Sequence, residues 1–491
     1  MSDGRVRGLR GLAGNAALYA GSNLLQRGVA LLLVPLYARH FTTGEFGAMD
    51  QIYQGILLLI LLTSLGLPQG LVRGIHLDTK TEDERSRMLG ALLTLVVPVV
   101  AGAALLTGLL REPLAALLFR GEGRAEWVVL GAGYFLALSL YQMPLELFKV
   151  RLQAKQYVAW SIAGFVAVVA GNVWLVAGRD WGLRGMLLAN MTAYGALAAA
   201  LWIRTLPSVR FNLEWRRLAP LFAFGLPMLP ALLGRRVLDA ADRYMIPWYH
   251  GLDELGVYVM GAKVAAILEG LLLVPFLYAW QPFFYSLADD AEAPKIFARV
   301  TRLMAQLLAF LVLAVTAARA PILDVLGRGR FDAAAPIVSI LVLAVACNGL
   351  QYCVSAGIHL KRRLVPEMGL MLSAAGLNLA LNLWLIPRWR GVGAASATLL
   401  AYLFYLVASH LLARRVYPVP YEWGRLANVA VQTAIAGVAL TQAGSLPLRL
   451  GIVLAWIVSC PLLDLWRHDE LRRILSRRDP VPGEGAGAGR V

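Results

Sequence analysis

The sequence predicts an all-α polytopic membrane protein with about 14 transmembrane helices. Of its 491 residues, 59% are hydrophobic and only 15% are charged, and the mean hydropathy is +0.64. A soluble domain has about 25% charged residues, so this chain lacks the polar surface that water would require. Apolar runs of about 20 residues, long enough to cross a bilayer, recur from end to end.

Fourteen apolar segments follow one another with short connectors. Segments of this length and composition are typical of membrane-spanning helices, because only helices and closed barrels satisfy the backbone inside lipid. The predicted limits are 14–37, 47–71, 88–110, 127–148, 156–178, 182–203, 217–243, 255–284, 302–319, 333–358, 365–387, 391–413, 426–442 and 447–466.

The basic residues set the direction of the chain. If the N-terminus is cytoplasmic, most of the 46 Lys and Arg residues lie on the cytoplasmic side, as the positive-inside rule requires. This asymmetry explains the net charge of +16 without nucleic acid. The start, MSDGRVRGLRG, is basic and shows no cleavable signal peptide. We expect a multi-pass membrane protein with both termini cytoplasmic, and a disordered tail over 471–491.

The chain contains an internal repeat. "GEFGAMDQIYQG" from Gly44 aligns with "DELGVYVMGAKV" from Asp253 at an offset of 209, and "NVWLV" from Asn172 matches "NLWLI" from Asn382 at an offset of 210. Each half then holds six spans, and an even number makes the repeats parallel, a recurrent transporter plan. We predict two six-helix lobes, 1–210 and 211–415, and two additional transmembrane helices in 416–470.

Three stretches resemble a known family. "NAALYAGSNLLQRGVALLLVPLYARHFTTGEFG", "FGLPMLPALLGRRVLDAADRYMIPWYHGLDELGVYVMGAKVA" and "AAGLNLALNLWLIPRWRGVGAASATLLAYLFY" are similar to Wzx-type polysaccharide flippases of the MATE-like MOP exporter superfamily. The resemblance covers roughly residues 10–415. It implies a two-lobed transporter that moves an undecaprenyl-pyrophosphate-linked oligosaccharide from the cytoplasmic to the outer leaflet, for O-antigen, capsule or exopolysaccharide assembly.

Five charges interrupt the seventh span: Arg235, Arg236, Asp239, Asp242 and Arg243. Charges in a membrane are costly, so they pair or face a cavity. Helical spacing allows Asp239 to pair with any of the three arginines. For Asp242 and Arg243, a self-neutralised helix end near the outer surface is an equal alternative. Arg235 and Arg236 lie deeper, and we expect them to line a cavity.

A pyrophosphate site is the functional hypothesis for these cations. Arg27 lies in the first span of the first half, and Arg235 and Arg236 lie in the corresponding span of the second half, which is the seventh of the chain. Lys263 lies in the eighth span. The planar guanidinium makes bidentate bonds to phosphate, so arginines from both lobes could hold a pyrophosphate. Asn23 shares a helical face with Arg27. The alternative for Arg27 is a structural bond to a neighbouring helix.

Two acids in the spans, Asp50 and Glu269, are candidates for H⁺ or Na⁺ coupling, although pairing with a cavity Arg or Lys is the stronger expectation. Gln54 is a further candidate for the cavity. No protein-bound cofactor or metal is expected, since no metal-ligand spacing occurs. For most other amides in the spans, helix–helix hydrogen bonding is the simpler interpretation.

Other functions remain open. A membrane enzyme of polysaccharide assembly is disfavoured because no catalytic motif and no large outer loop occur. A cation-coupled multidrug antiporter of the same superfamily and a peptidoglycan lipid-precursor flippase stay as alternatives. The expected partners are the lipid-linked oligosaccharide and membrane lipid, with no nucleic acid, and a polysaccharide polymerase or chain-length regulator is a candidate protein partner.

Overall fold

The computed structural model describes residues 33–64, 81–119, 125–151, 153–208, 212 and 214–462. Within this part of the chain every regular element is a helix, as the composition predicts. The all-α fold class is therefore confirmed. Asn23 and Arg27, like most of the first predicted span, lie outside the described residues.

The helices of the first half follow the end of the first span, which is helical over residues 33–40. They are α1 (Thr43–Ser64), α2 (Glu82–Leu109), α3 (Arg111–Phe119), α4 (Ala125–Val150), α5 (Ala154–Asn172) and α6 (Gly182–Thr205). A π-helical turn, Val173–Gly178, extends α5.

The rest of the described chain holds nine numbered helices. They are α7 (Trp215–Gly225), α8 (Leu229–Leu268), α9 (Val274–Ser286), α10 (Ala293–Gly327), α11 (Ala335–Val354), α12 (Ala356–Leu360), α13 (Leu364–Val416), α14 (Trp423–Gln442) and α15 (Leu446–Leu462). Each of the later thirteen predicted spans coincides with helix in its described part.

Nine helical stretches in the described residues are long and apolar enough to cross a membrane. Two of them, Leu232–Ser286 and Leu364–Val416, contain 55 and 53 residues. At a rise of about 1.5 Å per residue each is about 80 Å long, far beyond a hydrocarbon core of about 30 Å. Each also contains one non-helical residue, Gly251 with φ 81° and Arg390 with φ 53°. Each stretch therefore forms a hairpin of two spans, as the sequence predicts.

The same contact stabilises both halves. A carboxylate oxygen of Glu45, near the start of α1, accepts a hydrogen bond from the backbone N–H of Leu183 at 3.4 Å. Its repeat counterpart, Glu254, accepts one from the backbone N–H of Gly391 at 2.9 Å. In both cases an acid from one hairpin binds the first turn of a helix 137 or 138 residues away. The positive end of a helix favours such a carboxylate.

Replacing Glu254 with Ala is expected to lower the free energy of unfolding by about 1.5–3 kcal/mol, the usual range for a hydrogen bond to a charged group. Unfolding in mixed detergent micelles measures this. Glu292→Ala is the control, because that side chain is 62% exposed and pairs only with Lys295 at 3.0 Å; an exposed pair contributes at most about 1 kcal/mol. Equal losses in the two variants would contradict the bridging role of Glu254.

Glycines bring the two halves together. A Cβ atom on Gly256 of α8 would lie 1.9 Å from the carbonyl oxygen of Thr43, and one on Gly47 of α1 would lie 2.5 Å from the carbonyl oxygen of Leu252. Small residues permit such close backbone approach between membrane helices. Gly47 and Gly256 occupy equivalent repeat positions, so the contact is reciprocal. We call this contact the glycine seal.

An arginine clasp lies beside the glycine seal. Arg330, just after α10, donates to the backbone carbonyls of Phe41 at 2.7 Å and Arg39 at 2.6 Å. Arg39 in turn donates to the carbonyl of Val325 at 3.3 Å. These bonds satisfy carbonyls at helix ends, which have no partner inside their own helix. The clasp therefore joins the end of the first span to the second half.

The last two helices pack on the flank of α10. Their buried apolar side chains form a cluster of their own with that helix, including Leu313, Leu440 and Trp456. Buried Arg302 of α10 also forms an ion pair with Glu422 at the start of α14. The contacts attach α14 and α15 to the second half.

Candidate functional site

Asp50 of α1 lies at the centre of a charged cluster that joins the two halves. One carboxylate oxygen is 2.7 Å from the Lys263 ammonium, and the other is 2.9 Å from Nε of Arg243. Asp50 is buried, with a relative exposure of 2%. Asp50 thus pairs with a lysine and an arginine, the stronger of the two expectations for this acid. The two cations come from the two arms of the α8 hairpin, so one carboxylate connects three helical segments.

Asp242 and Arg243 form the buried wall of the cluster. The Asp242 carboxylate accepts from Nη1 of Arg243 at 2.8 Å and from the Tyr258 hydroxyl. Self-neutralisation, one of the interpretations of these two residues, is present in their ion pair, but Asp242 is only 3% exposed and therefore does not lie at the protein surface. Their partners lie on α1 and on the other arm of the hairpin, and spacing along one helix cannot reveal those contacts.

Arg235 and Asp239 form the predicted pair one helical turn apart. Nε of Arg235 is 3.0 Å from an Asp239 oxygen. Tyr402 of α13 donates to the other Asp239 oxygen at 3.1 Å, and its ring lies under the Arg235 guanidinium, 5.8 Å from ring centre to Cζ. Glu269, the first residue of a π-helical turn, also interacts electrostatically with Arg235. This part of the cluster is about one third exposed.

Arg236 has a different environment. Its guanidinium donates to the side-chain carbonyl of Gln54 on α1 at 3.2 Å, while the Gln54 amide lies 3.5 Å from an Asp50 oxygen. Helical spacing also allows Arg236 to pair with Asp239, but that carboxylate is directed to Arg235 and Tyr402. The spacing allows an Asp239–Arg243 carboxylate pair as well, and Arg243 instead donates to the Asp239 backbone carbonyl at 2.7 Å. Arg236 thus binds a neutral amide across the two halves.

The structure brings together most of the predicted site residues. Arg235, Arg236, Asp239, Asp50, Gln54, Lys263 and Glu269 all contact or interact with this cluster. With Asp242 and Arg243 added, four basic and four acidic side chains face one another in the described part of the chain. Carboxylates therefore hold Arg235, Arg243 and Lys263 in place, and the Gln54 amide holds Arg236, before any ligand binds. Such preorganisation lowers the cost of binding an anion.

Sequence reasoning missed two tyrosines of the cluster, Tyr258 and Tyr402. Tyr258 stands in the stretch "GVYVMGAK", where a polar residue two positions after Gly256 is a usable signal. Tyr402 lies in an apolar run and nothing local marks it. It enters the site only because α13 packs on α8, which is a property of the tertiary fold.

The first half contributes aromatic side chains beside the cluster. Tyr134 and Tyr194 stack with their centroids 5.9 Å apart, and Tyr141 contacts Tyr194 at 5.1 Å. Tyr53 of α1 is adjacent to Gln54 in the sequence and is 39% exposed. The first half therefore contributes a group of aromatic rings, whereas most of the charges come from the second half.

The fold and the charged cluster define a class: a multi-pass helical membrane protein built from two repeated halves, with ionisable groups where the halves meet. Ligand sites of secondary transporters lie at such interfaces. Residues 12–288 match the family model described as polysaccharide biosynthesis protein, and the chain belongs to that family. The family and the fold indicate a transporter, and the resemblance to Wzx-type flippases of the MOP superfamily is confirmed.

Similarity to individual proteins agrees with this assignment. The chain is 23% identical over 328 residues to the succinoglycan biosynthesis transport protein ExoT of Rhizobium meliloti (strain 1021). The matched region is 65% of this chain and 63% of that relative. Its fold matches the lipid II flippase MurJ in an inward closed conformation, with a TM-score of 0.72, 11% identity, and 94% and 100% of the two chains covered. It also matches an inward-facing multidrug resistance MATE family transporter of the MOP superfamily, with a TM-score of 0.59 and 11% identity. That match covers 82% of this chain and 95% of the transporter.

Proposed function

We propose that this protein is a flippase that translocates undecaprenyl-pyrophosphate-linked oligosaccharide units from the cytoplasmic to the outer leaflet of the bacterial inner membrane. Residues 1–210 and 211–415 act as two lobes that alternate in access, residues 416–470 add two helices, and 471–491 form a cytoplasmic tail. The product enters surface polysaccharide assembly, where a polymerase or chain-length regulator is the expected protein partner.

The observation that carries this proposal is the cluster of Arg235, Arg236 and Lys263 at the interface of the halves. These cations come from the α8 hairpin, and Arg236 and Lys263 contact α1 of the other half. A pyrophosphate that is esterified at both ends is a compact dianion, and guanidinium groups bind phosphate oxygens in pairs. A neutral drug would form no ion pair with these cations. Arg27 of the first span is the proposed fourth cation.

The contacts also suggest which state the structure represents. In the predicted topology, the tips of both hairpins, residues 41–42 and Gly251, face the outside. The glycine seal and the Arg330 clasp lie at these tips, so the outer side is closed. A pyrophosphate would then reach Arg236 and Arg235 from the cytoplasmic side, while the polyprenyl tail stays in lipid. Tyr53 and the neighbouring tyrosines are candidates to contact the sugars, because aromatic faces suit apolar sugar edges.

One alternative has specific support. The match to MurJ favours a peptidoglycan lipid-precursor flippase as the second candidate, since both cargoes carry a polyprenyl pyrophosphate. Cation-coupled drug antiport has weaker support because the cluster is rich in arginine. Coupling to H⁺ or Na⁺ through Asp50 or Glu269 remains a proposal, and the pairing of Asp50 with two cations favours a structural rather than a proton-carrying role for that acid.

Leaflet analysis of cells that lack the protein tests the function. We expect lipid-linked oligosaccharides to accumulate on the cytoplasmic leaflet and to be cleared when the gene is restored. Accumulation of the peptidoglycan lipid precursor would favour the second candidate. Intermediates that reach the outer leaflet and remain unpolymerised would contradict flipping and support a polymerising enzyme.

Arg236→Gln is expected to lower the flipping rate in reconstituted vesicles by about tenfold to a hundredfold, the equivalent of a charged hydrogen bond worth about 1.5–3 kcal/mol. Arg111→Gln serves as the control, because that side chain is 57% exposed at the start of α3. An unchanged rate for Arg236→Gln would remove this residue from the pyrophosphate site.

A further inference from the structure

We propose that Asp50 is an exchangeable counter-ion: its carboxylate locks the outer closure until the diphosphate of the cargo replaces it on Arg243 and Lys263. This inference rests on the proposed function and adds to it. It makes Arg243 a ligand-binding residue and gives the bound diphosphate a direct means of opening the outer side.

The contacts of Asp50 cross from one half to the other. The acid belongs to α1, and both of its cationic partners belong to α8. Any movement that separates the hairpin tips must therefore break both ion pairs. Breaking one side of a buried ion pair is strongly unfavourable when the partner charge stays uncompensated. The outer closure is thus held by these pairs in addition to the glycine seal.

The lock lies between the seal and the other cations. Asp50 is seven residues beyond Thr43, about 10 Å along α1, and Arg243 is eight residues before Gly251, about 12 Å from the tip. Arg236 is a further two turns away from the tip along the same helix. An anion that enters from the side opposite the seal meets Arg236 first and the lock next.

The two cations are more exposed than the acid they bind, as replacement of that acid by another anion requires. The Asp50 side chain is 2% exposed, whereas the Lys263 side chain is 30% exposed and that of Arg243 is 16% exposed. An incoming anion can therefore contact both cations before Asp50 leaves. A diphosphate carries more charge and more acceptor oxygens than a carboxylate, so it competes well for two cations.

The exchange leaves no buried charge without a partner. Arg243 keeps Asp242 at 2.8 Å and gains a phosphate oxygen, and Lys263 changes one anion for another. Asp50 departs with the first half and is hydrated as the outer side opens. The repeat does not duplicate this ion pair. The position equivalent to Asp50 in the second half is Val259, and the position equivalent to Lys263 in the first half is Gln54. The acid therefore comes from the first half and the cations from the second.

Distance measurements on the full chain in nanodiscs test the lock. Cys347, Cys353 and Cys460 are replaced by Ser, and spin labels are attached through Arg179→Cys and Trp389→Cys, two exposed positions before α6 and before the Arg390 break that are equivalent in the repeat. Electron–electron distances between the labels report separation of the outer ends. The probes are undecaprenyl pyrophosphate and, to isolate the headgroup, inorganic pyrophosphate.

We expect the wild-type background to show a short distance that shifts to longer values with undecaprenyl pyrophosphate. Asp50→Asn should show the longer distance without ligand and bind inorganic pyrophosphate about tenfold more tightly, because the competing carboxylate is gone. Lys263→Gln should also lengthen the distance but lose the response to ligand. Glu45→Gln, a matched acid-to-amide change on α1 whose bonds stay within the first half, should behave as wild type.

Two results would overturn the proposal in different ways. If Asp50→Asn keeps the short distance, the ion pairs do not lock the outer side. If Asp50→Asn opens but wild type binds the lipid without any shift, the lock exists and the exchange does not. Failure of the proposed function is separate: undecaprenyl pyrophosphate would then not bind the wild-type protein at all, as shown by the absence of any thermal stabilisation.

Discussion

Gly256→Ala is expected to disrupt the glycine seal more than any other glycine-to-alanine change in the described part of the chain. The added Cβ would lie 1.9 Å from the Thr43 carbonyl oxygen and 3.0 Å from its side-chain methyl group. Helix backbone cannot move aside as a flexible side chain does. Overpacking costs about 1–3 kcal/mol. We expect a clash with backbone to cost at least the upper value of this range. The gain of about 1 kcal/mol from Ala in a helix offsets only part of this.

Unfolding in mixed micelles and flipping in vesicles measure the effect of Gly256→Ala. We expect a loss of about 2 kcal/mol or more in stability, and a longer distance between outer spin labels, because the seal can no longer close. Gly376→Ala is the matched control: its Cβ would meet no atom within 4 Å, and the variant should be neutral or slightly more stable. Similar behaviour of the two variants would show that the close approach at Gly256 is not required.

The repeat explains why so much of the fold could be predicted. Apolar segments define the helices because a bilayer requires about 20 residues, and two short matches at offsets of 209 and 210 relate the halves. The functions of the matched residues could not be predicted in the same way. Glu45 and Glu254 bind the helix ends after Gly182 and Arg390, and those contacts depend on how the hairpins pack.

The contacts of the site were predicted best where both partners lie on the same helix. Arg235 and Asp239 are four residues apart and do form an ion pair. Asp50 is an isolated acid in a span, and the cost of burying its charge alone predicts a cationic partner. Helical periodicity cannot show which helices meet, so it left Asp239 open as a partner for Arg236 and a surface position open for Arg243. The partners that decide both cases, Gln54 and Asp50, lie on α1, nearly 200 residues away in the sequence.

Among the arginines of the cluster, we expect the loss of Arg243 to lower stability most, because it is the partner of the buried Asp242 carboxylate. Arg243→Leu removes the cation that neutralises Asp242 and part of the neutralisation of Asp50, and both carboxylates are almost completely buried. Loss of one partner of a buried pair costs about 3–5 kcal/mol, so we expect a decrease of that size in the free energy of unfolding. Arg111→Leu, at an exposed pair, should change it by less than about 1 kcal/mol.

A double-mutant cycle separates charge from packing at Arg243. If the uncompensated Asp242 carboxylate causes the loss, Asp242→Asn combined with Arg243→Leu should recover about half of it, because a neutral amide can still accept from Tyr258 and its burial costs far less than that of a charge. The recovered double variant should still fail in the flipping assay, since the cation that we propose to bind diphosphate stays absent. If the double variant is as unstable as Arg243→Leu alone, lost packing and not charge explains the effect. Recovery of flipping along with stability would mean that Arg243 supports the fold without contacting the cargo.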